Sequence, residues 1–76
     1  MIIDLHGFKH EDVPRKLDSF FWEAMQKNKG QVEVVTGISN RMKEIVTETC
    51  KEYGFKVIET TINPGILIVN LKWNNK

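Results

Sequence analysis

Gln31-Val32-Glu33-Val34-Val35-Thr36-Gly37-Ile38-Ser39-Asn40-Arg41-Met42 is the stretch whose reading decides the fold. Val32, Val34 and Thr36 alternate with Glu33, which predicts a strand over residues 31–36 with one apolar face. Gly37 ends that strand. Ser39 or Asn40 is then a fitting N-cap for a helix over residues 41–52. Met42, Ile45, Val46, Thr49 and Tyr53 fall on its buried stripe, with Cys50 at the edge, and Gly54 closes it. A strand running through a short glycine turn into a helix is the middle of a β-α-β unit.

Working outward, residues 2–6 read as a first strand stopped by Gly7, with Ile2, Asp4 and His6 on one face and Ile3 and Leu5 on the other. Residues 10–27 form a helix whose buried stripe is Val13, Leu17, Phe20, Phe21 and Ala24, with Pro14 in the first turn and Gly30 as a stop. Downstream, residues 56–62 and 66–72 are predicted strands joined by Asn63-Pro64-Gly65, a tight turn. The order is β-α-β-α-β-β. The expected architecture is an α/β (α+β) two-layer sandwich: a mixed four-stranded sheet, both helices on one face, and Asp4, Glu33 and Glu59 on the other.

Seventy-six residues bound the chain to one small domain, 1–76, with an open site rather than an enclosed one. Apolar residues make up 41% and charged residues 28%, ordinary for a globular domain, which excludes disordered and repeat classes. A single cysteine, Cys50, excludes an internal disulfide and, with only two histidines, a cysteine-based zinc site; it reads as structural and inert. The expected location is the reducing cytoplasm, with no signal peptide and no membrane partner. The net charge of +1 is not that of a generic DNA binder, so any positive charge offered to nucleic acid is local.

Parallel first and second strands bring their carboxyl ends to one sheet edge, where ligands of such sheets bind. That edge gathers His6, Gly7, Thr36, Gly37, Ser39, Asn40, Arg41 and Lys43, the one concentration of chemistry in the chain.

The same residues carry a family resemblance. Ile3-Asp4-Leu5-His6-Gly7 resembles the Leu-Asp-Leu-His-Gly signature of the Smr (small MutS-related) domain, and Val34-Val35-Thr36-Gly37 the start of its His/Thr-Gly-x-Gly signature. Arg41-Met42-Lys43-Glu44-Ile45-Val46 is similar to the start of the family's second helix, and Asn63-Pro64-Gly65 with Ile66-Leu67-Ile68-Val69 to its closing segment. The match runs in order along nearly the whole chain and implies a minimal, stand-alone Smr domain folded like the C-terminal domain of translation initiation factor three. Ser39 stands where the family has its second glycine, in a loop shorter than usual.

The resemblance implies that Asp4 and His6 are needed for cleavage. A histidine serves as general base or acid, and a carboxylate on the same face orients its imidazole; the bland alternative is a solvated carboxylate and a strand-end histidine. Thr36, Gly37, Ser39 and Asn40 are the expected phosphate cradle at a helix N-terminus, which is also an ordinary capped turn. Arg41 suits a phosphate; Lys43 is as easily surface charge. Gly7, the last residue of the first signature, is expected to meet the substrate, and Lys9 and His10 follow it, placed for backbone contact or for no role at all. Trp22 faces away from the core and is expected to be covered by the tail with Trp73 or by a dimer contact rather than to stack a base.

The expected function is a nucleic-acid endonuclease module, with RNA favoured over DNA because a metal-free histidine mechanism needs a 2′-hydroxyl. A non-catalytic module binding nucleic acid, a ribosome or a targeting protein, or a DNA-nicking endonuclease, is the alternative. No cofactor is expected; a divalent metal such as magnesium is the lesser alternative.

Overall fold

Val32 and Val34 are buried and Gln31 and Glu33 exposed, so the alternation of the central stretch is that of a half-covered strand. In this computed structural model, which describes residues 1–71, that strand is β2 (Gln31–Val35) in the order β1 (Ile2–Asp4), a 3-10 turn (His10–Asp12), α1 (Val13–Gln26), β2, α2 (Asn40–Tyr53), β3 (Lys56–Glu59), β4 (Ile66–Asn70). The sheet order is β1-β2-β4-β3. β1 runs parallel to β2, while β4 lies between β2 and β3 and is antiparallel to both. β1, β2 and β3 therefore point the same way, and the loops that follow them emerge at one end of the sheet.

Register separates two faces. Ile3, Val34 and Leu67 form one row and Val32, Val69 and Val57 another, beneath the helices. Onto them pack the predicted stripe of α1, namely Val13, Leu17, Phe20, Phe21 and Ala24, and Met42, Val46 and Cys50 of α2. The opposite face carries Ile2, Glu33, Ile68 and Ile58 in a row. The two-layer α+β sandwich is as expected, with one exception in its facing. Glu59 pairs with Leu67, a buried residue of the helix side, and borders a groove against α2. Period two decides this: Lys56 and Ile58 take the open face, so Glu59 takes the other.

Several boundaries differ from the sequence reading. Residues 10–12 form the 3-10 turn, and α1 proper begins at Val13 with Pro14 in its first positions. Its stop is Asn28, at φ 58°, with the N–H of Lys29 donating to the Ala24 carbonyl and that of Asn28 to Met25. This is a Schellman close, in which asparagine takes the left-handed position two residues before Gly30. The third strand ends at Glu59, not at residue 62. There the Thr60 hydroxyl accepts the Asn63 N–H at 3.0 Å and donates to the Asn63 carbonyl, so a side chain outcompetes the ladder and opens a six-residue loop, 60–65. Lys72 and Trp73, assigned to the last strand and to cover of Trp22, lie outside the described residues; Trp22 itself is exposed.

Cys50 and Tyr53 exchange their expected places. Cys50 is fully buried, whereas Tyr53 is partly exposed at the end of α2. The Tyr53 ring stacks on Phe55 at 5.3 Å, and both meet Phe21 edge-on. Its hydroxyl donates to Asp18 of α1, which ties the two helices. That hydrogen bond, then burial, pushes the Tyr53 phenol up to about 12, and burial alone pushes the Cys50 thiol up to about 12.

These two groups set an alkaline limit. An unfolded thiol ionises near 9.0 and a phenol near 10.0, but the fold keeps both protonated up to about 12. Protons are then held by the native state and lost by the unfolded one, so stability present below pH 9 falls as pH rises from 9 towards 12. Urea midpoints measured between pH 8 and 11 should show this fall. Cys50→Ala should lower the midpoint throughout but flatten its slope between pH 9 and 10.

Candidate nucleic-acid interface

At the end of β1, Asp4 is exposed and Leu5, next in the chain, is wholly buried. The Leu5 N–H donates to the Val35 carbonyl, and the Phe8 N–H returns to the Leu5 carbonyl at 3.0 Å, closing a turn over His6 and Gly7. Gly7 takes φ +88°, which the third position of such a turn demands. The Asp4 Oδ1 accepts the backbone N–H of His6 at 2.9 Å. The carboxylate therefore fixes the turn that presents His6. It was expected to orient the imidazole; its recorded bond is to the main chain instead.

The imidazole lies beside the neighbouring loop. A Cβ on Gly37 would sit 3.4 Å from the Cδ2 of His6. Gly37 follows β2, and its N–H and that of Thr36 both donate to the carbonyl of Gly65, at 3.2 and 2.8 Å. Thr36 is buried, its hydroxyl donating to the Gly37 carbonyl at 2.8 Å, with the Gly65 carbonyl at 3.4 Å. Two of the expected cradle residues thus spend their backbone donors inside the protein, and Thr36 braces the loop from within.

Ser39 is the N-cap of α2: its Oγ accepts the Met42 N–H at 3.1 Å. The hydroxyl that replaces the family's glycine is a cap, and the first N–H groups of the helix, on Asn40 and Arg41, face outward without an acceptor among the described residues. Arg41 is exposed and pairs with Glu44 at 2.6 Å. A surface pair of this kind contributes about 0–1 kcal/mol, so a phosphate can compete for the guanidinium. Lys43, two residues on, projects from the other flank of the helix. With Asn40, Thr47, Lys51, Glu44, Glu48 and Glu59 it lines the groove between α2 and β3, among carboxylates. Lys9 and His10 are exposed and, with Phe8 and Glu11, line a separate shallow depression where α1 begins.

The structure thus brings together His6, Gly37, Ser39 and the start of α2, with Asp4 beneath His6, and leaves Lys43 and Lys9 at either side. The sequence reading missed Gly65, whose carbonyl joins two loops. Asn63-Pro64-Gly65 signalled a turn, but local turn chemistry carries no information about a partner 29 residues away in sequence. It also missed Phe8, whose ring lies 5.7 Å from the Lys16 ammonium. Among the described residues, no group of three or more histidine, cysteine, aspartate or glutamate side chains is arranged to hold a metal ion. No helix among them is long and apolar enough to cross a membrane.

A two-layer α+β domain that sets a histidine, a capped helix start and an arginine on the loops of one sheet edge has the makings of a nucleic-acid-binding module. The Smr domain family profile matches residues 3–72, and the chain belongs to that family. Smr domains are nuclease-related modules that bind nucleic acid. Comparison with curated proteins and with solved structures gave no match.

Gly37 offers a direct test of the junction. Its φ of +68° and the nearby imidazole mean that Gly37→Ala both strains the backbone and presses on His6. The expected destabilisation is about 1–2 kcal/mol, accompanied by shifted His6 ring signals in NMR spectra. Gly54, at φ +78° with nothing nearby, is the control. Gly54→Ala should destabilise to a similar degree and leave the His6 signals where they were.

Proposed function

We propose that this Smr domain is an endonuclease that acts on single-stranded RNA, with His6 as the proton-transfer group. The observation that carries the reading is the exposed His6 imidazole, which lies beside Gly37 in the loop that leads into α2. His6 takes the proton of a 2′-hydroxyl, the 2′-oxygen attacks the adjacent phosphorus, and the phosphorus–5′-oxygen bond breaks. The leaving 5′-oxygen takes up a proton from the imidazolium or from water. The products are a 2′,3′-cyclic phosphate and a 5′-hydroxyl. Arg41 and the N–H groups of Asn40 and Arg41 take up the charge that gathers on the non-bridging oxygens. Asp4, bonded to the His6 main chain, is a positioning residue.

A second reading has its own support. Thr36 and Gly37 give their N–H groups to Gly65, so the phosphate cradle has fewer donors than its sequence suggests. That favours a binding module that holds RNA, or meets a ribosome or a targeting protein, through the same edge.

The test uses end-labelled single-stranded RNA and matched DNA, in EDTA or in magnesium. RNA should be cut in EDTA, with cyclic phosphate ends, and DNA should not. His6→Ala should slow the cut by about a hundredfold or more, and Asp4→Ala by less, with RNA binding retained in both. DNA nicking that needs magnesium would instead make Asp4 and His6 metal ligands. Binding without cleavage of either nucleic acid, with or without added ribosomes, would leave the binding module as the function.

A further inference from the structure

Eight large apolar residues are exposed among those described, and two stand apart. Ile38 is 83% exposed and Ile62 94%, against 62% for Trp22 and 60% for Ile2. A single exposed isoleucine needs no explanation. These two sit on the loops that follow β2 and β3, at the same end of the sheet, and those loops are joined where Thr36 and Gly37 donate to Gly65.

Both side chains are held out from pinned backbone. Ile38 lies between Gly37, fixed to Gly65, and Ser39, fixed to Met42 through its hydroxyl. Ile62 lies within the turn closed by the two hydrogen bonds between Thr60 and Asn63. Little ordering of the loops is then left to oppose a contact made by these side chains. Neither carries a hydrogen-bonding group, so their contact surface is purely apolar.

We infer that Ile38 and Ile62 form an apolar clamp for unpaired nucleobases and restrict the site to single-stranded substrate. The inference rests on the nucleic-acid reading of this edge but not on cleavage. A strand crossing it presents phosphates to His6, Arg41 and the start of α2, and bases to whatever flanks them. An unpaired base offers an apolar face that either isoleucine covers. A duplex keeps those faces stacked inside and turns charged backbone outward, against which the isoleucines gain nothing. Apolar side chains do engage unstacked bases in this way, by packing on their exposed faces. With no donor or acceptor on the clamp, it reads base exposure and not base identity.

The test is fluorescence anisotropy with a labelled 2′-O-methyl RNA strand, which lacks the hydroxyl needed for cleavage, free or annealed to its complement. The wild-type protein should prefer the single strand. The double variant Ile38→Ser with Ile62→Ser should lose about tenfold in affinity for the single strand and bind the duplex as before, its melting temperature unchanged. Arg41→Ala should weaken both forms alike. Unchanged single-strand binding in the double variant, or an equal loss on strand and duplex, would overturn the clamp. If the wild-type protein binds neither form, the nucleic-acid reading of the edge falls and the clamp with it. Selective binding by a protein that never cuts RNA would uphold the clamp and remove only the nuclease.

Discussion

Two backbone donors, from Thr36 and Gly37, converge on one acceptor, the carbonyl of Gly65, and the edge that carries His6 and the start of α2 depends on that junction. It ties the loop after β2 to the chain entering β4, so the start of α2, the glycine under His6 and the long loop after β3 share one anchor. A typical hydrogen bond contributes about 0.5–1.5 kcal/mol net, a modest sum beside the core. Its importance is geometric. Without it the β2–α2 loop would rest on the Thr36 hydroxyl and the Ser39 cap.

The same junction explains which parts of the molecule were legible in the sequence. Periodic features were plain: the alternation of residues 31–35, the stripe from Val13 to Ala24, and the two-layer order all follow from rules that act within a few residues. Where side chains compete locally, the pattern misled. The run Glu59-Thr60-Thr61-Ile62 looks like strand, yet the Thr60 hydroxyl captures Asn63 and turns the chain away. Asn28 stopped α1 before Gly30 could. Tyr53 fitted the helical stripe by spacing, but its hydroxyl needed Asp18 and its ring found Phe55, so Cys50 took the core position.

The site residues divide along the same line. His6, Ser39 and Arg41 were correctly gathered at one edge because parallel strands put their following loops together. The details of contact were not visible. That Asp4 would spend an oxygen on the His6 main chain, that Thr36 would turn inward, and that Lys43 would face Glu59 across a groove all depend on torsions and on partners distant in sequence. The residue pattern placed these groups at one edge, and the packing set their contacts.

Charge and size together shape what such an edge can do. A net charge of +1 gives no broad field to collect polyanions, and the groove beside α2 mixes Lys43 and Lys51 with three glutamates. On the proposed reading, attraction to phosphate rests on the helix start, Arg41 and His6. A small two-layer domain also offers an open edge rather than an enclosed pocket. Specificity then has to come from what stands above the surface on fixed loops. A charge-poor edge gains affinity most readily by covering apolar surface that the right substrate exposes and the wrong one hides, and exposed aliphatic side chains on pinned backbone meet that requirement without enclosing anything.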